Sequence, residues 1–142
     1  MDIQLSSYLV APLIAWGLAQ TIKYLLQARK ASSFRDLSFL YKSGNMPSSH
    51  SALMISLLTT IGLEDGTASA LFAIVAVLSL IVIYDAVNVR RAVGEQGAIV
   101  LELAKKAGIK QPFYNAMGHR LTEVTAGSII GIVSALLVLQ FM

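Results

Sequence analysis

Three long runs without a charged residue dominate this sequence and decide what kind of protein it can form. They extend over residues 3–22, 66–84 and 124–142. A helix needs about 20 mostly apolar residues to cross the hydrocarbon layer of a bilayer, so each run is long enough. Hydrophobic residues make up 56% of the chain and charged residues 13%, against roughly 45–50% and 25% in average soluble proteins. We therefore predict an integral membrane protein.

A fourth apolar run, over residues 51–63, is too short to cross a membrane by itself. The preceding residues 43–50 are polar but largely uncharged, and they can extend it. We predict a helix that starts near Pro47, because proline suits the first helical position, where its missing N–H needs no partner. The expected fold is all-α: one domain over residues 1–142, a membrane helical bundle of about four transmembrane helices.

The basic residues predict how this bundle lies in the membrane. All 11 fall in or beside two connections: Lys23, Arg29, Lys30, Arg35 and Lys42 in the first, and Arg90, Arg91, Lys105, Lys106, Lys110 and Arg120 in the second. Because basic connections stay in the cytoplasm, we expect both connections to be cytoplasmic and both termini external. The acidic start of the chain argues against a cleaved signal peptide. We expect a multi-pass protein of the cell membrane whose active face is cytoplasmic.

The second connection, residues 88–118, is too long for a simple turn. Residues 98–106 are typical of a short helix, in which Glu102 and Lys106 have the favourable i,i+4 spacing, and we expect it to lie on the membrane surface. Gly108 and Pro112 are expected to end it.

Small residues form a stripe along the last apolar run. Gly127, Gly131, Ser134 and Ala135 would let another helix approach closely, either within the chain or across a homo-oligomer. The other expected partners are membrane lipids, and no nucleic-acid partner is expected.

Residues 44–51 are polar and are predicted to form a helix N-terminus that can bind an anion. Backbone N–H groups at a helix start lack intrahelical partners, and the helix dipole is positive there. Ser48 and Ser49 add hydroxyl donors, and His50 follows in the first turn. The alternative for His50 is a structural role, in which its ring caps the helix or bonds a neighbouring carbonyl.

The other histidine, His119, also precedes an apolar run. Glu123 follows at i+4, on the same face of a helix, where a carboxylate can hold an imidazole in one tautomer and raise its basicity. The pair is half of a nucleophilic site. The alternatives are an interfacial salt bridge, or a carboxylate favoured by the positive helix start.

Cationic side chains lie near the same predicted face. Lys23 follows Gln20 at the inner end of the first run, and Arg90 and Arg91 follow Asp85 at the inner end of the third. Basic residues at such ends often only snorkel to the interface. Asp85 is different, because a carboxylate at the edge of an apolar helix needs a cation; the candidates are Arg90, Arg91 and Lys23.

Three segments together resemble a known family: Met46-Pro-Ser-Ser-His-Ser51, Tyr84-Asp-Ala86 followed by Arg90-Arg91, and Gly118-His119 followed by Glu123-Val124 and Ala126-Gly127. They are similar to the divergent branch of the type 2 phosphatidic acid phosphatase superfamily, which is related to vanadium haloperoxidases. The sequence departs from the wider superfamily in that Lys23-x6-Lys30 lacks an Arg-Pro pair and Ser49 replaces a glycine.

The resemblance implies a role for each candidate residue. His119 would attack phosphorus, Glu123 would orient it, and His50 would protonate the leaving alkoxide. Phosphate oxygens would be held by Lys23, Ser48 and Ser49. No Ser-Arg pair precedes His119 at the family's spacing, and we expect Arg90 or Arg91 to substitute from the third helix. Asp85 and Gln20 would have supporting positions.

We therefore expect a metal-independent lipid phosphatase without a cofactor. It would hydrolyse a phosphomonoester, phosphatidylglycerol phosphate first and phosphatidic acid second. One alternative is a noncatalytic lipid carrier or assembly protein that retains a phosphate-binding pocket. Another is a divalent cation bound by both histidines, Asp85 and Glu123.

Overall fold

The computed structural model of the protein describes residues 6–32, 45–109 and 118–142. Every regular element in these ranges is a helix: α1 (Ser7–Lys30), α2 (Ser49–Glu64), α3 (Ala70–Tyr84), a π-helical turn (Asp85–Val89), α4 (Arg90–Lys106) and α5 (Leu121–Phe141). The prediction of an all-α membrane bundle is confirmed.

In the described part of the chain, three helices are long and apolar enough to cross a membrane: α1, α5, and the continuous helix formed by α3, the π-helical turn and α4. Helix α2 has 16 residues and is about 24 Å long, less than the roughly 30 Å of a hydrocarbon layer. It packs against α1, α3 and α5, and its buried residues are mainly small, including Ser51, Ala52 and Ser56. The fourth predicted span is therefore a short helix enclosed by the others.

Helix α2 starts at Ser49, near Pro47 as predicted, but Pro47 is not its first residue. Ser48 is the N-cap, and its hydroxyl accepts from Ser51 N at 3.3 Å. Pro47 lies before the cap, in a cis peptide with Met46. The placement of Pro47 at the first helical position was wrong, because the side chain of Ser48 supplies the bond that starts the helix.

The predicted interfacial helix over residues 98–106 is the end of a continuous helix of 37 residues, from Ala70 to Lys106. Its ion pair is present, with Lys106 Nζ 2.9 Å from Glu102 Oε1. At about 1.5 Å per residue the helix is about 55 Å long, so α4 extends beyond the hydrocarbon layer. Arg35, Lys42, Lys110 and Pro112 lie outside the described residues.

The small-residue stripe of α5 packs within the chain. A Cβ atom on Gly127 would lie 2.2 Å from Ser48 O, and one on Gly131 would lie 2.5 Å from Ala52 O. The backbones of α2 and α5 therefore touch at both glycines, and Ala135 packs with Ala11 of α1. The stripe is therefore used for packing within the chain, one of the two arrangements predicted from the sequence, and a homo-oligomer stays a prediction.

Polar contacts join the start of α1 to the end of α2. Ser7 Oγ donates to Glu64 Oε2 at 2.6 Å, and Tyr8 OH donates to Asp65 Oδ2 at 3.0 Å. The turn that carries Glu64 and Asp65 therefore lies at one end of the bundle. At the opposite end, which we call the basic end, α1 finishes, α2 and α5 begin and α3 meets the π-helical turn. Both histidines and their neighbouring cations lie at the basic end.

We predict that this basic end faces the cytoplasm, because basic connections are retained there. Green fluorescent protein and alkaline phosphatase fused after Met142 report the location of the C-terminus. The phosphatase fusion should be active and the fluorescent fusion dark. A fluorescent C-terminal fusion with an inactive phosphatase fusion would reverse the orientation and place the histidines outside.

Candidate active site

His119 and Glu123 form a buried pair at the start of α5. His119 Nδ1 lies 2.8 Å from Glu123 Oε2, and the histidine residue is 6% exposed. The carboxylate favours the tautomer whose proton is on Nδ1, which leaves the lone pair of Nε2 free to act as a nucleophile. Burial of the ring lowers the pKa of His119, against the bond from Glu123, which raises it. The neutral, nucleophilic form is therefore favoured near neutral pH.

The π-helical turn fixes the backbone of His119. His119 N donates to Ala86 O at 2.9 Å, and a Cβ atom on Gly118 would lie 2.3 Å from Arg91 N. A π-helical turn shifts backbone bonds from i→i+4 to i→i+5, and such turns occur frequently at functional sites. Here the turn and the bare backbone of Gly118 let α5 begin directly against the third span. The sequence analysis missed this contact, and its only sign was the glycine before His119.

A second backbone bond brings the start of α2 to the same pair. Ser48 N donates to Glu123 O at 2.9 Å. The Ser48 hydroxyl accepts from Ser51 N and from Ser51 Oγ, the latter at 2.9 Å, so its role in the structure is that of a helix cap. Because a hydroxyl can accept two bonds and still donate one, Ser48 retains a donor. Ser49 is buried beside it.

His50 follows in the first turn of α2 and is more exposed than His119. Partial burial of its ring lowers the pKa of His50. The positive charges of Arg90 and Lys23 lower it further, as does the protonated form of His119, while the carboxylate of Asp85 acts in the opposite direction. The motifs that carry the two histidines are therefore adjacent, since the Ser48 N to Glu123 O bond joins them. A bound dianion would oppose these charges and favour the protonated form of His50.

Lys23 carries the buried positive charge of the site. Its residue is only 4% exposed, and within the described ranges its ammonium forms no ion pair. Glu123 and both histidines lie within electrostatic range. A buried ammonium is costly unless an anion compensates it. Gln20 lies one turn earlier on α1 and is half-buried.

The two arginines differ in their surroundings. Arg90 Nε lies 2.7 Å from Asp85 Oδ2, so Arg90 is the cation that Asp85 was predicted to need. Arg91 Nε lies 3.1 Å from Glu95 Oε1 on the exposed surface of α4. Arg90 therefore remains near the histidines, and a phosphate-binding role for Arg91 stays a prediction without a supporting contact.

The carboxylates proposed for a divalent cation do not converge. Asp85 pairs with Arg90, while Glu123 pairs with His119. Among residues 6–32, 45–109 and 118–142, no three histidine, aspartate or glutamate side chains form a group that could hold a metal ion.

Comparison with known proteins agrees with the motifs. Residues 5–134 match the divergent PAP2 family, where PAP2 denotes the type 2 phosphatidic acid phosphatases. The uncharacterized membrane protein YuiD of Bacillus subtilis (strain 168) is 32% identical over 157 aligned residues, which cover 99% of each chain. No solved structure matches significantly. The predicted resemblance is confirmed, and the chain belongs to the divergent PAP2 family.

Proposed function

We propose that the protein is a membrane lipid phosphatase that hydrolyses a phosphomonoester through His119 as the nucleophile. The observation that carries this proposal is the buried His119–Glu123 pair, joined at 2.8 Å. It leaves one imidazole nitrogen with a free lone pair, on a ring within electrostatic range of Lys23 and His50. Family membership and the membrane-spanning helices support the same reaction class.

The chemistry takes two displacements at phosphorus. His119 Nε2 forms a bond to phosphorus as the bond to the lipid oxygen breaks, and His50 gives its proton to the leaving alkoxide. A water molecule then attacks the phosphorylated histidine, His50 takes a proton from that water, and inorganic phosphate leaves. Each histidine ends the cycle in its starting protonation state.

Fixed positive groups supply the electrostatic stabilisation. A phosphomonoester dianion would compensate the buried charge of Lys23, while Arg90 lies within electrostatic range of both histidines. The first N–H groups of α2 and the Ser49 side chain provide further donors for the phosphoryl oxygens. Donors fixed before the reaction cost no reorganisation when charge develops.

The location of the site favours a lipid substrate. The histidines lie where α2 and α5 begin, at the polar end of helices that are apolar over most of their length. A membrane-anchored phosphate would reach this level by lateral diffusion. On the predicted cytoplasmic face we favour phosphatidylglycerol phosphate and phosphatidic acid, because both carry a terminal dianion that gains more from these cations than a diester does. Their charge does not separate them, and we place phosphatidylglycerol phosphate first because we expect a compact enzyme of this family to serve phospholipid synthesis.

A noncatalytic lipid carrier or assembly protein is the second candidate. The observation that favours it is the incomplete set of cations, since Lys23-x6-Lys30 lacks the Arg-Pro pair and Arg91 pairs with Glu95. Such a protein would bind lipid phosphates without releasing phosphate.

Phosphate release by the purified protein separates the two candidates. We expect turnover of phosphatidylglycerol phosphate and phosphatidic acid in matched detergent micelles, inhibition by vanadate, and full activity in chelator. Binding without turnover would support the carrier. Activity lost in chelator and restored by magnesium would favour a metal, and a clear preference for undecaprenyl pyrophosphate would refute the substrate assignment.

Replacing Glu123 with glutamine should lower the rate and also shift its dependence on pH. Glu123 raises the pKa of His119, so loss of its charge should lower that pKa further. The acid limb of the kcat/KM profile should therefore move to lower pH, while the plateau falls by less than about 10²-fold, since the amide can still hold the ring. An unchanged acid limb would show that His119 is not the group whose protonation stops the reaction.

A further inference from the structure

A cavity of about 370 Å³ lies beside the catalytic pair, between the end of α1, the segment before α2 and the start of α5. Its polar lining consists of Gln27, Lys30, Asn45, Arg120, Thr122 and Glu123. The proposed mechanism uses only Glu123 among these residues.

The charges of this lining favour an anion. Lys30 and Arg120 are both positive, against one carboxylate. That carboxylate is already engaged, because Glu123 Oε2 accepts from His119 Nδ1 and, at 3.2 Å, from Arg120 N. The lining therefore carries an excess of positive charge, and its one acid is turned to the histidine.

Gln27 supplies a donor that lacks an acceptor. Its Nε2 atom is buried and has no hydrogen-bond partner within the described part of the chain. A buried amide without a partner costs free energy, and a terminal amide turns easily about its last torsion. An oxygen atom bound in the cavity would satisfy this donor.

The cavity is separate from the phosphorus site but close to it. Lys23, Gln27 and Lys30 follow one another at i, i+4 and i+7, which places them along one face of α1. At about 1.5 Å per residue, Lys30 lies about 10 Å further along the helix axis than Lys23. The charge of Lys23 acts on both histidines, as does that of Arg90. Lys30 instead faces the cavity.

We propose that this cavity is a second phosphate-binding site, in which Lys30, Arg120 and Gln27 bind the oxygens of a phosphate group. The group can come from two sources, the phosphodiester of an anionic lipid headgroup or free inorganic phosphate. The site goes beyond the proposed catalytic function, because it binds a phosphate that is not the one attacked by His119. Its occupancy can be measured without turnover.

The test measures binding by the full-length protein in nanodiscs. The probes are inorganic phosphate in neutral-lipid discs, and phosphatidylglycerol, which has no phosphomonoester, titrated into the same discs. Lys30→Ala and Gln27→Leu should weaken binding of at least one probe by about tenfold, and Lys30→Gln serves if Lys30→Ala does not fold. Arg29→Ala is the matched control, because Arg29 is exposed, lies next to Lys30 and does not line the cavity.

If Lys30→Ala and Gln27→Leu weaken only the binding of phosphatidylglycerol, the ligand is a lipid headgroup. If they remove a binding site for inorganic phosphate that the Lys23→Ala protein still has, the ligand is free phosphate. Either result supports the proposal. Equal effects of Lys30→Ala and Arg29→Ala, or no effect of Lys30→Ala and Gln27→Leu on either probe, would overturn it. A protein that binds through Lys30 but releases no phosphate would refute the catalytic proposal and leave this site standing.

Discussion

Replacing His119 with alanine should abolish phosphate release while leaving a folded, membrane-inserted protein. The variant removes the atom that is proposed to bond to phosphorus, and the remaining donors can bind the substrate but cannot form the covalent intermediate. Acid–base groups alone typically contribute about 10²–10⁴-fold, and loss of the nucleophile should cost at least as much. Phosphate release from phosphatidylglycerol phosphate, measured at saturating substrate, gives the effect.

His50→Ala is the companion variant. It should reduce release by about 10²–10⁴-fold, because the alkoxide would leave without a proton. Binding of vanadate should persist in this variant, since Lys23 and the start of α2 are unchanged. A His119→Ala protein that retains the wild-type rate would refute the nucleophile assignment, and a fully active His50→Ala protein would refute the proton donor.

Replacing Gly127 with alanine should move the start of α2, which carries His50, away from α5 and His119. The added Cβ would lie 2.2 Å from Ser48 O, and the backbone of α2 would have to move away. That movement would strain the Ser48 N to Glu123 O bond and displace His50 from His119. Overpacking of this kind typically costs about 1–3 kcal/mol of stability, and a displacement of about 1 Å can cost about 10²-fold in rate. Stability and the rate of phosphate release should therefore fall together.

Gly17→Ala is the matched control for this variant. Gly17 is also within a helix, but a Cβ atom there would have nothing within 4 Å. Because alanine favours a helix over glycine by about 1 kcal/mol, Gly17→Ala should leave activity unchanged and stability unchanged or slightly raised. Thermal unfolding in detergent and phosphate release measure both variants. A Gly127→Ala protein as active and stable as Gly17→Ala would show that close contact between α2 and α5 is not required.

Local patterns in the sequence were enough to predict the parts of the structure that depend on neighbouring residues. Uncharged runs identified the three long helices, because the bilayer requires length and apolarity from each span separately. The pairing of His119 with Glu123 followed from their i,i+4 spacing, since that spacing places two side chains on one helical face.

Features that depend on contact between distant segments were not predictable in the same way. The bond from His119 N to Ala86 O requires the π-helical turn, and nothing in residues 85–89 marks a shift of register. Arg90 and Arg91 are adjacent basic residues that the sequence does not distinguish. In the structure they lie on different faces of the helix, so that Arg90 pairs with Asp85 and Arg91 pairs with Glu95. The stripe of Gly127 and Gly131 indicated close packing but not which helix packs there.

The stereochemical course at phosphorus tests the central claim, covalent catalysis by His119, most directly. A lipid thiophosphate made chiral with oxygen isotopes is hydrolysed in isotopically labelled water, and the configuration of the released thiophosphate is determined. Each in-line displacement inverts phosphorus, so two displacements through His119 predict overall retention. Inversion would show that water attacks the lipid phosphate directly and would contradict the histidine nucleophile.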